Sequence, residues 1–276
     1  MDLEKLCASF DFAGRTIVIS GGAGVLGSGM GCALARSGAN VVILDRDLSN
    51  SGPLQKRLDE GKGCGRILEA DVLRKESLLK ARDLIRSQFG RVYGLINAAG
   101  GNFPQATTGP DLCFFDLPDE ALRHVVDLNL MGTILTSQVF GRMMADEGEG
   151  AIVNISSMAA YRPLTRTIAY SASKAAVSNF THWLSVHMAS EYSPRIRVNG
   201  LAPGFFHTNQ NHYLLYDRSG GLTPRGNAIL EHTPMKRFGN PDDLLGTLFW
   251  LLSPGAEFVT GAVIPVDGGF SAFSGV

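Results

Sequence analysis

Residues 16–29 read TIVISGGAGVLGSG, a short apolar strand pattern that runs into a glycine-rich turn. Within it Gly22, Gly24 and Gly27 fit the Gly-x-Gly-x-x-Gly spacing, and Gly21 adds further backbone freedom. Glycines allow a tight turn and let backbone N–H groups approach a pyrophosphate, which the N-terminus of the following helix then faces. The spacing alone is weak evidence, but its place between a first strand and a helix favours a dinucleotide site over a plain turn.

Beyond this turn, short β-branched runs alternate with longer helical patterns. Strands are predicted at Thr16–Ser20, Asn40–Leu44, Arg66–Glu69, Gly94–Asn97, Ala151–Ser156, Arg195–Gly200 and Val259–Val266. Helices are predicted at Gly27–Ser37, Lys75–Gln88, Asp119–Ala145, Ala172–Glu191 and Pro241–Leu252. Nearly unbroken apolar strands of this length are typical of sheets covered on both faces. The pattern predicts an α/β fold, with residues 1–276 forming a single Rossmann-like, doubly wound domain around a mostly parallel seven-stranded sheet flanked by helices.

Residues 203–236 interrupt this regular alternation. The stretch is long, polar and punctuated by Gly and Pro, and it falls between two predicted strands. Long irregular insertions of this kind are often lids or specificity loops. We therefore expect a substrate-loop insertion here, within the single domain.

The net charge and the composition of the sequence argue against several classes of partner. A formal net charge of −1 over 276 residues gives no electrostatic reason to expect nucleic acid or an anionic membrane. No apolar run reaches the ~18 residues of a membrane span, and the start MDLEKLCASF lacks the pattern of a secretion signal. The four cysteines are scattered, which favours reduced thiols over disulfides, and no Cys/His cluster has metal-ligand spacing. We expect a soluble, cytoplasmic protein without a metal.

An acidic residue ends the second strand pattern. Asp45 lies 18 residues beyond Gly27, where a carboxylate can accept hydrogen bonds from the adenosine ribose and would repel a 2′-phosphate. Arg46 beside it complicates this interpretation, since a guanidinium can accept that phosphate. We expect NAD as the cofactor ahead of NADP, with both residues in its site.

The stretch AYSASKAA at 169–176 carries a second chemical signal. Small residues surround Tyr170 and Lys174, which lie one helical turn apart on the same face. A free phenol has a pKa of ~10, which is too high for it to act as a base near neutral pH. A neighbouring positive charge favours the phenolate. The alternative is a surface helix with a solvated lysine. Ser157, at the end of a predicted strand, favours the catalytic interpretation.

The motifs of the sequence, and their order along the chain, resemble those of the short-chain dehydrogenase/reductase family over essentially the whole chain. They are the glycine turn at 21–27, Asp71-Val72, Asn97-Ala98-Ala99-Gly100, Asn129, Ser157, Tyr170-x-x-x-Lys174, and Pro203-Gly204 followed by Thr208. The sequence departs from the family pattern at two positions. Ser20 stands where Thr is usual, and Gly24 lies one place early, matching the broader dinucleotide pattern instead.

The resemblance implies catalytic roles. Tyr170 is the expected general acid/base at the substrate oxygen, Lys174 supplies positive charge to it, and Ser157 hydrogen-bonds the carbonyl or hydroxyl being converted. Asn129, within HVVDLNLMG, is expected to help hold a water chain that leads to the lysine. A buried structural amide is the alternative for Asn129. Hydride is expected to pass directly between nicotinamide and the substrate carbon.

The resemblance also implies a cofactor site drawn from several strand ends. Asp71 and Val72 flank the adenine, residues 97–100 line a strand end, and residues 203–206 meet the nicotinamide carboxamide. The expected cofactor set is Gly21, Gly22, Gly24, Val25, Leu26, Gly27, Asp45, Arg46, Asp71, Val72, Asn97, Ala98, Ala99, Gly100, Tyr170, Lys174, Pro203, Gly204, Phe206 and Thr208. The implied assembly is a homotetramer, with the predicted 119–145 and 172–191 helices pairing between subunits.

Three stretches bear on the substrate: GGNFPQATT at 100–108, SSMAAYRPLTR at 156–166 and GFFHTNQNHYLL at 204–215. With the ending PVDGGFSAFSGV, they resemble the family's D-mannonate oxidoreductase (fructuronate reductase) branch, which implies reduction of a sugar-acid keto group. A related keto-sugar or polyol reductase, acting on 5-ketogluconate or an unsaturated uronate product, is the alternative. An inactive nucleotide-binding scaffold is disfavoured, because its signature would be loss of the Ser, Tyr or Lys.

Polar side chains in these stretches suit a polyhydroxylated ligand with a carboxylate, for which an arginine fork is the strong partner. A steroid or fatty-acyl pocket would instead be mainly apolar. Arg162 is predicted to bind the carboxylate, and a surface arginine is the alternative. The expected substrate set is Asn102, Ser157, Arg162, His207, Asn209 and Gln210.

Overall fold

A computed structural model describes residues 3–49, 51–208, 212–217 and 219–275, which are organised around one seven-stranded sheet. The strands are β1 (Thr16–Ser20), β2 (Asn40–Asp45), β3 (Gly65–Glu69), β4 (Gly94–Asn97), β5 (Gly150–Ile155), β6 (Ile196–Pro203) and β7 (Val263–Val266). Their order is β3-β2-β1-β4-β5-β6-β7, and every neighbouring pair is parallel. This order confirms the predicted doubly wound α/β fold.

Helices cover both faces of the sheet. They are α1 (Leu3–Ala8), α2 (Val25–Arg36), α3 (Ser51–Asp59), α4 (Lys75–Phe89), α5 (Asp119–Val126), α6 (Gly132–Glu147), α7 (Ile168–Glu191), α8 (His212–Leu215), α9 (Pro224–Glu231) and α10 (Leu245–Leu252). Buried side chains of α2, α3 and α10 form one core with the sheet, and those of α4, α6 and α7 form a second core on the opposite face.

Strand side chains alternate between these two cores. Ile17 and Ile19 of β1 enter the first core, whereas Val18 enters the second. Successive strand residues point to opposite faces, so a strand covered on both sides needs apolar residues at every interior position. The sequence TIVIS meets that need, and all five of its residues are buried.

The direction of winding reverses between β1 and β4, at the middle of the sheet. Ser20 is paired with Asn97 across these two strands, so the glycine turn and residues 97–100 leave the sheet side by side. In doubly wound sheets, ligands bind in the crevice outside the carboxyl ends of the strands at such a reversal. The fold therefore brings two of the predicted motifs to one crevice.

Several local predictions differ from the structure. The helix predicted at Asp119–Ala145 is divided into α5 and α6 by a π-helical turn at Asp127–Met131. Helix α3 is not predicted from the sequence, and its start at Ser-Gly-Pro fits a helix because Pro is favoured in the first turn. β7 begins at Val263 rather than Val259, since the intervening Gly261 has φ +77 and leaves the extended conformation.

The segment predicted as an irregular insertion at 203–236 contains regular structure. β6 continues through Pro203, and α8 and α9 follow it. Thr223 caps α9, its hydroxyl accepting from the Gly226 N–H at 3.0 Å, and Pro224 occupies the first turn. Capping of this kind defines a helix start in a stretch that is otherwise rich in Gly and polar residues.

Two further findings concern the whole described chain. None of the helices in the described ranges is long and apolar enough to cross a membrane. The four cysteines carry free thiols, with Cys32 buried and Cys7 and Cys113 exposed. Burial raises the pKa of the Cys32 thiol, so this side chain acts as a small apolar group in the core.

Candidate active site

The glycine turn between β1 and α2 forms a cradle at the crevice. Gly21 has φ +64, and a Cβ placed on it would lie 2.5 Å from the Ala99 Cα. A Cβ on Gly27 would lie 2.7 Å from the Gly21 carbonyl oxygen, so both positions require glycine. Within the described residues no side chain caps α2 at Gly24, and its first turn holds no acidic residue. The N–H groups of that turn can meet an anion, so the cradle fits a dinucleotide pyrophosphate.

Asp45 is partly buried beside this turn at the end of β2. Its Oδ2 accepts from the Ala23 N–H at 3.0 Å, and its Oδ1 accepts from the Asp47 N–H at 3.2 Å. A carboxylate has about four lone-pair sites, so these two bonds leave capacity for ribose hydroxyls. Arg46 is exposed next to it. Asp45 therefore both holds the turn and presents negative charge where the adenosine is predicted.

Asp71 and Val72, which are predicted to flank the adenine, follow the end of β3, and Ala98 and Ala99 follow the end of β4. Asp71 Oδ1 accepts from the Leu73 N–H at 2.9 Å, which folds the chain tightly after β3, and Val72 is buried. Ala98 and Ala99 are partly buried, with the Ala99 backbone against the glycine turn. Ala98 and Ala99 therefore border the same crevice as the cradle.

The Asn97 side chain is directed into the protein rather than toward the crevice. Its Nδ2 donates to the Ser137 Oγ at 2.9 Å and to the Asn154 Oδ1 at 2.8 Å. Asn154 donates in turn to the Thr181 Oγ1 at 2.9 Å, so the chain of bonds links β4, β5, α6 and α7. Only the Asn97 backbone therefore borders the cradle. This network is not predicted from the sequence, although the polar Asn154 inside the apolar strand AIVNIS indicates a buried hydrogen-bonding group.

Ser157 and Tyr170 meet where β5 ends and α7 begins. Ser157 has extended backbone (φ −165, ψ 156), and its Oγ accepts from the Ala159 N–H at 3.1 Å. The serine also hydrogen-bonds the Tyr170 phenol. Burial raises the pKa of Tyr170, and the bond with Ser157 offsets part of that rise. The expected lowering of this pKa is wrong for the chain itself, because desolvation of the phenolate is the larger effect.

Lys174 lies one helical turn further along α7 and is only 5% exposed. Its Nζ donates to the Ile155 carbonyl at 2.8 Å and lies 5.7 Å from the centroid of the Tyr170 ring. Burial lowers the pKa of this ammonium group from 10.5 to about 8. At neutral pH the lysine keeps its charge beside the phenol, and it loses that charge in a mildly alkaline range. The Ile155 carbonyl that fixes it is a backbone group, which no sequence motif reveals.

Asn129 is fully buried in the π-helical turn between α5 and α6. Its Nδ2 donates to the Gly101 carbonyl at 2.7 Å and to the Val125 carbonyl at 2.8 Å, and its Oδ1 accepts from the Gly101 N–H at 3.1 Å. A Cβ on Gly100 would lie 2.6 Å from the Asn129 Oδ1 and 3.1 Å from the Lys174 Nζ, so the amide and the ammonium border one small space. These bonds favour the interpretation of Asn129 as a buried structural amide. The amide also lies close to the Lys174 ammonium.

The segment after β6 borders the crevice from the side of β7. Gly204 N–H donates to the Val266 carbonyl at 2.9 Å, which continues the strand pairing beyond β6. Phe206 is buried against the backbone of Gly239, with which it forms an isolated bridge. Thr208 follows at a partly buried position. Because the Phe206 side chain is packed into the protein, the backbone of this segment is the part placed to meet a ligand.

Two predicted substrate residues bond to protein groups on the substrate side. Asn102 is exposed and donates through Nδ2 to the Thr107 Oγ1 at 2.7 Å, within its own loop. Arg162 is exposed and donates through Nε to the Ser271 carbonyl at 3.2 Å. A guanidinium has five donors, so this single bond leaves its terminal fork for another acceptor. Each of these side chains is thus held by the protein through one group.

His207 belongs to an aromatic cluster at the start of the 203–236 segment. Its Nε2 lies 3.0 Å from the His212 Nδ1, and the His212 ring stacks on Tyr216 with centroids 4.9 Å apart. The cluster ties the residue that follows Phe206 to α8. The predicted substrate residues Asn209 and Gln210 lie outside the described residues.

The geometry combines three groups with one chemical capability. A serine hydroxyl, a phenol and a buried ammonium lie together at the end of β5, next to a cradle that fits a dinucleotide. Such a set can hydrogen-bond a carbonyl oxygen and give it a proton while the carbon accepts a hydride. Across the described ranges, no group of three or more His, Cys, Asp or Glu side chains is placed to hold a metal ion.

Comparisons with known proteins agree with this geometry. A family model described as enoyl-(acyl carrier protein) reductase matches residues 22–271. The chain is 46% identical over 275 residues to the uncharacterized oxidoreductase UxuB of Bacillus subtilis (strain 168), covering 96% of this chain and 98% of that protein. It is 31% identical over 271 residues to D-threitol dehydrogenase of Mycolicibacterium smegmatis, covering 97% and 98% of the two chains.

A solved structure extends the likeness to three dimensions. It is a Haemophilus influenza protein, provisionally described as a D-mannonate oxidoreductase, with bound NAD. The two chains are 41% identical and superpose with a TM-score of 0.91, over 98% of this chain and 100% of the other. With coverage this high, the similarity includes the sheet, the glycine turn and the Ser157–Tyr170 region together.

Proposed function

The chain belongs to the short-chain dehydrogenase/reductase family, and on that premise we propose that it reduces the keto group of D-fructuronate to D-mannonate with NADH. The observation that carries the proposal is the joint placement of Ser157, Tyr170 and Lys174 beside the glycine cradle. The sugar-acid specificity is supported by the Haemophilus influenza relative, which is described as a D-mannonate oxidoreductase. As a member of this family, the chain is an oxidoreductase.

NADH, when bound, supplies the hydride. The residues of the chain hydrogen-bond the keto oxygen and donate a proton to it. The Ser157 Oγ accepts from the Ala159 N–H, which holds the hydroxyl in position to hydrogen-bond the keto oxygen. Tyr170 gives its phenolic proton to that oxygen, and the Lys174 ammonium stabilises the phenolate that remains. The raised pKa of Tyr170 keeps the phenol protonated at neutral pH, which is the form that a general acid needs for reduction.

We assign Asn129 a positioning role in this site. Two of its three hydrogen bonds fix the Gly101 backbone and the third ties it to the Val125 carbonyl, so the amide oxygen lies next to the space occupied by the Lys174 Nζ. A lysine buried in this way needs fixed neighbours, because a displaced ammonium would no longer stabilise the phenolate. Loss of the amide should therefore reduce the rate more than it reduces cofactor affinity.

The preference for NADH over NADPH rests on Asp45. Its carboxylate is held beside the glycine turn and would repel a 2′-phosphate. Titration of protein fluorescence with each cofactor should give a Kd for NADH at least ten times lower than that for NADPH. Tighter binding of NADPH would contradict the assignment and would point to Arg46 as the phosphate partner.

We propose that Arg162 binds the substrate carboxylate, with Asn102 and His207 at the hydroxyl groups. The guanidinium is anchored through Nε, so its terminal fork can meet a carboxylate with two parallel hydrogen bonds. Arg162 follows Ser157 by five residues, after the same strand, which supports a role for its charge on the substrate side of the proton donor.

An assay of NADH oxidation over a panel of keto compounds tests the proposed function. The panel contains D-fructuronate, 5-ketogluconate and D-fructose, which lacks a carboxylate. We expect kcat/KM for D-fructuronate to exceed that for D-fructose by at least tenfold, because one charge-assisted pair contributes about 1.5–3 kcal/mol. Equal or better turnover of D-fructose would contradict the sugar-acid assignment.

A polyol or keto-sugar reductase is the second candidate. The observation in its favour is the 31% identity to D-threitol dehydrogenase over 97% of this chain. Oxidation of D-threitol with NAD, measured beside the keto-acid panel, distinguishes the two candidates. Turnover of D-threitol above that of every keto acid would favour the second.

We also propose that the chain forms a homotetramer through α7 and the α5–α6 region. The outer face of α7 carries exposed apolar residues, with Trp183 58% and Val186 66% exposed, and Ile168 is exposed near its start. Burial of such residues between subunits would supply the driving force for assembly. Light scattering after gel filtration should give four times the chain mass, and Trp183→Glu should lower it. A wild-type monomer would contradict the proposal.

A further inference from the structure

The loop that carries Ser157 is tied to the C-terminal part of the chain. Tyr161 donates its hydroxyl to the Val263 carbonyl at 2.7 Å, at the start of β7. Arg162 donates through Nε to the Ser271 carbonyl at 3.2 Å. Two neighbouring side chains of one loop are therefore bonded to both ends of the segment 263–271.

A short turn couples Tyr161 rigidly to Ser157. The Ala160 N–H donates to the Ser157 carbonyl at 3.0 Å, and the Tyr161 N–H donates to the Met158 carbonyl at 3.0 Å. The Ser157 Oγ accepts from the Ala159 N–H at 3.1 Å within the same turn. Since the serine hydroxyl is part of this bonded unit, a displacement of Tyr161 also displaces the hydroxyl.

The segment 263–271 holds its own shape through one carboxylate. Asp267 Oδ1 accepts from the Gly269 N–H at 2.9 Å, and its Oδ2 accepts from the Ser271 N–H at 2.8 Å. These two bonds turn the chain back after β7, so that the Ser271 carbonyl reaches Arg162. Burial and the negative charge of Asp267 both raise the pKa of Tyr161, so its hydroxyl remains a donor well above neutral pH.

The same segment also contacts the other side of the crevice. The Phe270 ring lies 5.2 Å from the Phe205 ring at an interplanar angle of 67°. Gly204 N–H donates to the Val266 carbonyl at 2.9 Å. Residues 203–206 are those expected to meet the nicotinamide, so one short segment touches both the proton-donor loop and the proposed cofactor segment.

We infer that residues 263–271 form a brace that sets the spacing between the Ser157 loop and residues 203–206, and that Tyr161 is a positioning residue acting through this brace. The inference rests on the proposed function, because a transfer of hydride and proton requires both loops in register. A misplacement of about 1 Å can cost roughly 10²-fold in rate, so loss of one tie should be visible in kcat.

The test replaces Tyr161 by Phe in the full chain and uses the best substrate from the keto-compound panel. We expect kcat to fall about tenfold, with the Kd for NADH within twofold of wild type and Tm within a few degrees. With NADH deuterated at the transferred position, the isotope effect on kcat should increase, because the chemical step becomes slower. A purely structural loss would not raise this isotope effect.

Tyr192→Phe is the matched control. Tyr192 is an exposed tyrosine directly after α7, and its ring contacts His187. The change removes the same hydroxyl at a place remote from both loops, and wild-type kcat is expected. The brace is refuted if Tyr161→Phe keeps kcat within twofold of wild type, or if kcat, NADH affinity and Tm all fall together.

Hydrogen exchange separates failure of the brace from failure of the proposed function. On the NADH-bound full chain, the amides of residues 159–162 should exchange faster in Tyr161→Phe than in wild type or Tyr192→Phe. This measurement needs no substrate. If no keto compound is reduced, the proposed function fails while the exchange result still decides the brace; unchanged exchange at 159–162 would overturn it.

Discussion

The groups proposed for proton transfer and those proposed for substrate binding are built differently. Tyr170 and Lys174 stand on α7, and Lys174 bonds to the backbone of β5. Arg162 and His207 stand in loops, and their bonds run to the C-terminal segment and to His212 of α8. A rigid scaffold fixes chemistry and loops fix specificity, so changes in the first region should cost rate and changes in the second should cost substrate affinity.

The strongest test of the rigid region is Tyr170→Phe. Removal of the proton donor should lower kcat by about 10³-fold, within the range that general acid catalysis contributes. The Kd for NADH should stay within about twofold, since the ring and the cradle remain. Steady-state kinetics and NADH titration measure both quantities. Full activity of the variant would disprove the assignment of the acid.

The next largest effect is expected for Gly21→Ala, a substitution in the glycine cradle. The new Cβ would lie 2.5 Å from the Ala99 Cα at φ +64, which an L-residue rarely adopts. Backbone strain alone should lower the free energy of unfolding by about 1–3 kcal/mol, and NADH affinity should fall at least tenfold. Denaturant unfolding and NADH titration report the two changes.

Gly29→Ala is the control for this substitution. Gly29 lies in α2, and a Cβ on it would meet no described atom within 4 Å. Alanine is the better helix former, so the free energy of unfolding should rise by about 0.5–1 kcal/mol with NADH affinity unchanged. Equal losses in both variants would show that the Gly21 effect is not due to its contact with Ala99.

The lysine of the rigid region predicts how rate depends on pH. Lys174 is charged below its pKa of about 8, so kcat/KM for reduction should be flat near pH 7 and fall about tenfold by pH 9. A pH profile with the best keto substrate measures this fall. An activity that rises through pH 9 would contradict a catalytic ammonium.

The same pKa fixes the sign of a stability change. Since the pKa of Lys174 is lower in the folded chain, folding is penalised below about pH 8 and the penalty disappears as pH rises toward 10.5. The lowering from 10.5 to about 8 corresponds to about 3 kcal/mol. Lys174→Met should therefore unfold at higher denaturant concentration than wild type at pH 7, and this advantage should shrink by pH 10. A less stable variant at pH 7 would contradict the burial penalty.

The difference between the two regions also explains what the sequence could predict. The glycine turn and AYSASKAA are recognisable because strand and helix periodicity fixes where their side chains point. The π-helical turn around Asn129 is not recognisable, because HVVDLNLMG fits an uninterrupted helix. The raised pKa of Tyr170 depends on burial, which only the packed structure reveals.

The hydrogen bonds of Tyr161 and Arg162 could not be predicted from the sequence for another reason. The bonds of Tyr161 and Arg162 to the C-terminal segment join residues 102 and 109 positions apart. Both are made to backbone carbonyls, which are the same in every residue type, so no pattern of side chains marks them. Arg162 was therefore predicted as a ligand for the substrate, without its anchor at Ser271.

Arg162→Ala is expected to change substrate affinity rather than rate, and it is the sharpest test of the comparison. If the guanidinium binds the carboxylate, KM for D-fructuronate should rise about tenfold while KM for neutral D-fructose stays constant, because only the first substrate loses an ion pair. If Arg162 acts only through its bond to Ser271, kcat should fall for both substrates by the same factor. Arg162→Lys should restore part of the affinity in the first case, since it keeps the charge but not the fork. Equal effects on both substrates would mean that the loop region, like the helix region, acts on rate.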